Sequence, residues 1–169
     1  MARLFLLRHA KAGWAQPGMR DFDRALEPSG TADAEAIGAA MRANGYVPDL
    51  TLCSTAVRAR QTLEGIAGHT DTGRVIYLDA LYSEDAASYL AAIRENGRSG
   101  SLLVIGHNPM MEDLATAASA GGDIEARALL GHGFPTSGLA VISFEGGLES
   151  AAPGAGRLDA FLRPPRARP

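Results

Sequence analysis

The chain opens on four consecutive large apolar residues, Leu4-Phe5-Leu6-Leu7, and the run stops abruptly at Arg8-His9. A half-exposed strand alternates apolar with polar side chains, so an unbroken apolar run reads as a short strand buried on both faces. The pattern returns at Leu50-Thr51-Leu52-Cys53 and, most clearly, at Leu102-Leu103-Val104-Ile105. Val75 to Leu78 reads as an edge-ward strand, Leu139 to Phe144 as another strand, and Arg157 to Leu162 as a last edge strand. Between them lie helical patterns. Ala32, Ala36, Ile37, Ala40 and Met41 share one helix, opened by Pro28-Ser29-Gly30 and closed by Asn44-Gly45. A second helix begins at Ala56-Val57-Arg58 with Ser54 or Thr55 as cap, and a third runs from Ala86 to about Asn96. Another follows Gly106-His107-Asn108-Pro109, with Asn108 as cap and Pro109 at the first helical position. Strands and helices alternate without an internal repeat or a linker. The expected architecture is α/β, one domain over residues 1–162 with a largely parallel central sheet flanked by helices.

Two stretches resist the pattern. Residues 12–28 have no sustained period and form a long loop, functional or disordered. Trp14, the only tryptophan, is expected to anchor this loop to the body, and Asp21 and Asp23 are expected to pair with neighbouring Arg20 and Arg24 rather than to bind a metal. Residues 163–169, Arg-Pro-Pro-Arg-Ala-Arg-Pro, have little to bury and read as a frayed basic tail.

Composition narrows the function classes. With 169 residues, 46% hydrophobic and 21% charged, the chain is long enough for a substantial core. A net charge of −3 offers no global basic field for nucleic acid or an anionic membrane. Cys53 stands alone, which rules out an internal disulfide and a cysteine zinc cluster and suits a reducing cytoplasm. No stretch approaches the roughly 18 uninterrupted apolar residues of a membrane span. The expected location is therefore cytoplasmic.

Chemistry concentrates at strand ends. Arg8 and His9 close the first strand, Arg58 sits on the first turn after the second, and His107 follows the fourth. An Arg-His pair ending one strand reads equally well as a place where the chain emerges into solvent. Three strand ends with the same character change that, because in an open α/β sheet ligands bind at the carboxyl edge. Arginines converging there without a carboxylate in their own motifs call for an anion, and a phosphoryl group matches the guanidinium fork. Backbone donors at Asn108-Pro109 add to this, and Lys11 is close enough to steer an anion, though a solvated lysine is as good a reading. A neutral His9 can attack phosphorus in line and form a phosphohistidine that water hydrolyses. Nearby cations keep that imidazole unprotonated, and His107 is left to donate a hydrogen bond to a phosphoryl oxygen. Gly106 removes a side chain where a ligand or another backbone must come close. His69 and His132 fall in loops and match no motif, and Arg60 points to a different helix face from Arg58.

Leu-Leu-Arg-His-Ala-Lys at the first strand, Cys-Ser-Thr-Ala-Val-Arg-Ala-Arg-Gln-Thr at the second and Ile-Gly-His-Asn-Pro at the fourth resemble the histidine phosphatase, or phosphoglycerate-mutase-like, superfamily. The chain is most similar to its SixA-type phosphohistidine phosphatases. Asp21-Phe22-Asp23-Arg24, Leu81-Tyr82 and Pro153 to Leu158 also fit that branch, as does Ala10 after the first histidine. The resemblance implies a three-layer α/β sandwich, His9 as nucleophile, a phosphate pocket of Arg8, Arg58 and His107, no metal and no organic cofactor.

Many superfamily members add a carboxylate as general acid after the third strand, where this chain has only Glu84 and Asp85. These residues also suit the acidic first turn of a helix. A missing acid is tolerable when the leaving group is an imidazole, whereas an alkoxide must be protonated. Only 48 residues, 59 to 106, separate Arg58 from His107, too few for a large cap over a small metabolite. The expected substrate is phosphohistidine on a partner protein. The alternatives are a phosphatase for a small phosphomonoester and a non-catalytic phosphate-binding module.

Overall fold

The computed structural model describes residues 1–165; residues 166–169, most of the expected basic tail, lie outside the described residues. Seven strands form one sheet: β1 Ala2–Arg8, β2 Leu50–Ser54, β3 Arg74–Leu78, β4 Ser101–Gly106, β5 Ser119–Gly122, β6 Leu139–Phe144 and β7 Gly156–Leu162. Their spatial order is β3-β2-β4-β1-β6-β7-β5. β6 runs antiparallel to both its neighbours, and every other pairing is parallel.

Both faces of the central strands are covered, which is why β1, β2, β4 and β6 are mostly apolar, whereas β3 and β7 keep exposed positions. Phe5, Leu7, Cys53, Leu103, Ile105 and Val141 pack on one side against α1 Pro28–Ala43 and α2 Val57–Ala67. Leu4, Leu6, Leu52, Leu102, Val104 and Ile142 pack on the other, against α3 Ala80–Ser83, α4 Ala86–Glu95, α5 Met110–Ala118 and α6 Ile124–Gly131. Successive residues of β1 thus divide between two cores, as the twofold period of a strand requires. The result is an α/β sandwich of helices, sheet and helices.

The register sets the functional edge. Arg8 lies opposite Gly106, and Cys53 opposite Ile105, so β1, β2 and β4 end level with one another. No extra domain is inserted between α2 and β4; β3, α3 and α4 occupy that stretch.

Four local expectations are corrected. β7 is not an edge strand, because β5, which the sequence pattern missed, pairs outside it. Ser119-Ala120-Gly121-Gly122 has no β-branched residue to signal a strand. Gly122, at φ 141°, is pressed against Leu158, whose carbonyl oxygen lies 2.1 Å from where a Cβ would stand. α6 was missed with it. The cap of α2 is Ala56, not Ser54 or Thr55: Thr55 donates to Asp79 and Ser54 is engaged at the site. Pro109 occupies the cap of α5 rather than its first helical position, with Asn108 Oδ1 accepting from the Glu112 amide at 3.2 Å.

Trp14 does not anchor its loop; it is 87% exposed, with the Arg24 guanidinium 6.0 Å from its ring centroid. Polar bonds hold residues 12–28 instead. Gly13 donates to Ala25 O at 2.9 Å, Arg24 Nε to Gly13 O at 2.8 Å, and the Leu26 amide to Gln61 Oε1 on α2 at 2.7 Å. A single 3-10 turn, Asp21–Asp23, sits in the middle.

Candidate active site

His9 leaves β1 in a fixed orientation. Its backbone N–H donates to Gly106 O on β4 at 3.0 Å, and the next amide, Ala10, donates to Thr62 Oγ1 at 2.9 Å. Thr62 Oγ1 in turn donates to Arg58 O at 2.7 Å, so one buried hydroxyl ties the His9 turn to the helix that carries Arg58. His9 Nδ1 lies 2.7 Å from Ala10 O. A carbonyl can only accept, so the proton of the neutral ring is on Nδ1 and the lone pair is on Nε2.

His107 is held with its ring 5.1 Å from that of His9, centroid to centroid. Its backbone N–H donates to the Tyr89 hydroxyl at 3.1 Å, and Tyr89 donates to Leu81 O. Gly106 exists for this phenol rather than for a ligand: a Cβ there would stand 2.5 Å from the Tyr89 oxygen. Burial pushes the Tyr89 hydroxyl up to about 12, so it stays a donor.

The arginines are placed by oxygen acceptors. Arg8 Nη1 donates to Phe134 O at 2.9 Å. Arg58 Nη1 donates to Asp21 O at 2.9 Å and its Nη2 to Asp21 Oδ2 at 3.0 Å. Arg58 thus has a carboxylate after all, supplied by the long loop. Asp21 is itself fixed by Arg24 at 2.9 Å and by the Tyr82 hydroxyl at 2.9 Å. Burial opposes its ionisation, but the bonds from Arg24 and Tyr82 and the charge of Arg58 outweigh it and hold the carboxyl at about 2. Asp21 is therefore an anion at neutral pH and has no proton to give. Tyr82 packs edge-on to His107, 5.6 Å between centroids, and beneath the Arg58 guanidinium at 5.8 Å.

What remains unpaired defines the chemistry. Among the described residues, the buried side-chain nitrogens without a hydrogen-bond partner are Arg8 Nε, Arg58 Nε and His107 Nδ1. An unsatisfied buried polar atom costs on the order of 1–3 kcal/mol, so three from one cluster, two of them arginine N–H donors, call for a ligand. All three come from the residues the strand-end pattern singled out. Both rings are neutral there. Desolvation, partly offset by the Ala10 carbonyl and reinforced by Arg58 and Arg8, pushes His9 down to about 4. Desolvation, with His9 and Arg58, pushes His107 down to about 3.

The other candidates are occupied elsewhere. Lys11 is exposed and pairs with Glu27 at 3.4 Å. The Asn108 amide donates to Phe134 O at 3.0 Å, bracing the carbonyl that holds Arg8. Asp85 caps α4, accepting from the Ser88 amide at 3.0 Å, and Glu84 accepts from Ser88 Oγ at 3.0 Å; both are exposed. Asp23 pairs with Arg20 at 2.9 Å. Among the described residues no group of three or more His, Cys, Asp or Glu is arranged to hold a metal ion. Pattern reading missed Tyr82, Tyr89, Ser54 and Thr62 as site residues, and it gave Asp21 only its neighbouring ion pair.

This basic pocket at the carboxyl edge of a phosphoglycerate-mutase-like sheet has counterparts among known proteins. Residues 4–87 match the family profile of the histidine phosphatase superfamily, branch 1. The chain is 36% identical over 162 residues to the uncharacterized protein Rv1276c of Mycobacterium tuberculosis, covering 94% of this chain and 99% of that one. Two solved structures, both assigned as phosphohistidine phosphatase SixA, superpose closely. The one from Agrobacterium tumefaciens has a TM-score of 0.83 at 40% identity, covering 96% of this chain and 98% of its own. The one from Nakamurella multipartita gives 0.81 at 29% identity, covering 96% of each chain. The chain belongs to the histidine phosphatase superfamily, within its SixA-type group.

Proposed function

We propose that this phosphatase takes phosphoryl groups from phosphohistidine on a partner protein, through a phosphohistidine intermediate on its own His9. The observation that carries the reading is the pairing of a His9 Nε2 lone pair with three unpartnered buried nitrogens, two of them arginine donors. Nε2 attacks phosphorus in line as the bond from phosphorus to the partner's imidazole nitrogen breaks. The partner's imidazole, carrying a proton on its other ring nitrogen while phosphorylated, keeps the electron pair of the broken bond and leaves as a neutral ring. Arg8 Nε, Arg58 Nε and His107 Nδ1 meet the equatorial oxygens, where negative charge spreads in the transition state. Water then attacks the phosphorus on His9, the His9 bond breaks, and the ring returns to its neutral form as inorganic phosphate departs.

The state of the carboxylates favours an imidazole leaving group. Asp21 is ionised and clamped to Arg58, while Glu84 and Asp85 are exposed and bonded to Ser88. None is poised to protonate an alkoxide, and imidazole does not need such an acid. The absence of an inserted cap between α2 and β4 leaves room for a protein-borne side chain, and the SixA-type relatives support the same substrate class. A phosphohistidine-bearing carrier protein or phosphotransfer domain of the cytoplasm is the fitting partner.

The test is loss of protein-bound phosphate from such a carrier, with His9→Ala alongside. Wild type is expected to release the phosphate and the variant to leave it. Phosphate that persists with wild type, together with turnover of a small phosphomonoester, would overturn the choice of substrate.

A further inference from the structure

The last residue of β2, Ser54, is fully buried. Its Oγ lies 2.8 Å from His107 Nε2 and accepts from the Ala56 backbone N–H at 3.2 Å. A backbone N–H can only donate, so this bond leaves the Ser54 proton free to go elsewhere. Among the described residues His107 Nε2 is the one other partner of that oxygen. With Ser54 donating, Nε2 accepts, and the proton of the neutral His107 ring must sit on Nδ1. That is the buried atom without a partner, beside Arg8 Nε and Arg58 Nε. The opposite tautomer would strand the Ser54 proton and set a bare Nδ1 lone pair against an incoming oxyanion. It leaves two buried atoms wrong where the first leaves none, once an anion is bound.

We propose that Ser54 is a positioning residue that selects the Nδ1–H tautomer of His107 and so makes a neutral histidine a hydrogen-bond donor to the phosphoryl group. The role in catalysis rests on the reading of the pocket given above; the tautomer itself does not. The device keeps His107 a donor without charging it. A cationic His107 would add a third positive charge 5.1 Å from the ring of His9, opposing the charge that this ring gains when Nε2 bonds to phosphorus.

Long-range proton–nitrogen correlation spectra of histidine-labelled protein near neutral pH read the tautomer directly, with His107→Gln used to assign the signal. The unmodified protein is expected to show His107 protonated on Nδ1; protonation on Nε2 overturns the proposal. In Ser54→Ala the His107 pattern is expected to move toward Nε2–H, with His9 unchanged and binding of vanadate weakened roughly tenfold. Ser54→Thr, which keeps the hydroxyl, is expected to restore both. A His107 pattern unaltered in Ser54→Ala also overturns it. Should the carrier keep its phosphate while His107 shows Nδ1–H and Ser54→Ala shifts it, the choice of substrate fails and the tautomer selection stands.

Discussion

The ends of β1 and β4 each present a buried, neutral histidine to the same pocket, yet the two rings face it with opposite chemistry. At the end of β1 a backbone carbonyl takes the Nδ1 proton of His9, leaving a lone pair on Nε2. At the end of β4 a serine hydroxyl meets Nε2 of His107, leaving a proton on Nδ1. Burial and charge act alike on both, pushing each well below the ordinary histidine range. What separates the proposed nucleophile from the proposed donor is therefore the group on the far side of each ring, an obligate acceptor in one case and an available donor in the other.

The largest effect should come from exchanging that comparison for its absence. His9→Ala is expected to lower turnover by about 10⁴ or more and to abolish the trapped phosphoenzyme, since the Nε2 lone pair proposed to attack is removed. His107→Ala, which removes a single donor, is expected to cost roughly 10²–10³ in turnover while phosphoenzyme still forms. Rapid quench with acid-labile phosphate counting distinguishes the two. Equal losses of phosphoenzyme in both variants would erase the proposed division of roles.

A smaller effect is expected from Asp21→Ala, which frees the Arg58 guanidinium from its clamp. Misplacing Arg58 is expected to reduce turnover by about tenfold to a hundredfold and to weaken vanadate binding with it. Isothermal titration against vanadate is the check; tighter binding than wild type would mean that Asp21 competes with the anion instead of aiming the arginine.

Next comes pH. Both histidines have folded values below the 6.5 of a free ring, so the unfolded chain binds more protons in the interval between them. Stability is therefore full above 6.5 and is lost as pH falls toward about 4 for His9 and about 3 for His107. Thermal unfolding followed from neutral pH downward should show this slope, and His9→Asn should flatten part of it. An imidazole titration of either ring near 6.5 would contradict the buried, cation-flanked site.

The smallest change is expected at the carboxylates just before α4, Glu84 and the cap residue Asp85. Glu84→Gln should leave turnover within about twofold, because its oxygen serves Ser88 rather than the pocket. Asp85→Ala should lower the melting temperature modestly through loss of the cap, again without loss of turnover. A loss of turnover in either variant comparable to that of His107→Ala would restore a general acid to the mechanism.

How far such roles were legible depends on the distance along the chain between the groups that make them. Arg8 and His9 are neighbours at the end of an apolar run, and Arg58 and His107 each follow another such run closely, so a period and its interruption expose all four. The buried strands β1, β2 and β4 were equally plain, because a sheet covered on both faces tolerates no polar alternation. β5 and α6 were not, since β5 is only serine, alanine and glycine, and α6 is eight residues long and leaves Ile124 exposed. The clamp on Arg58 comes from 37 residues away, the Tyr82 bond to Asp21 spans 61, and the Ser54 bond to His107 spans 53. Trp14 looked like an anchor for its size and lies exposed, while arginine and glutamine hold its loop.

From the order of residues alone come the apolar strands, the helices between them and the four polar groups at strand ends, because each is a local pattern enforced by burial of a continuous segment. Packing decides the rest: which oxygen faces each ring nitrogen and which carboxylate reaches an arginine, the contacts on which the proposed roles of the two histidines rest. Hydrogen-bond partners of a side chain are set by proximity in space, and no local period encodes that.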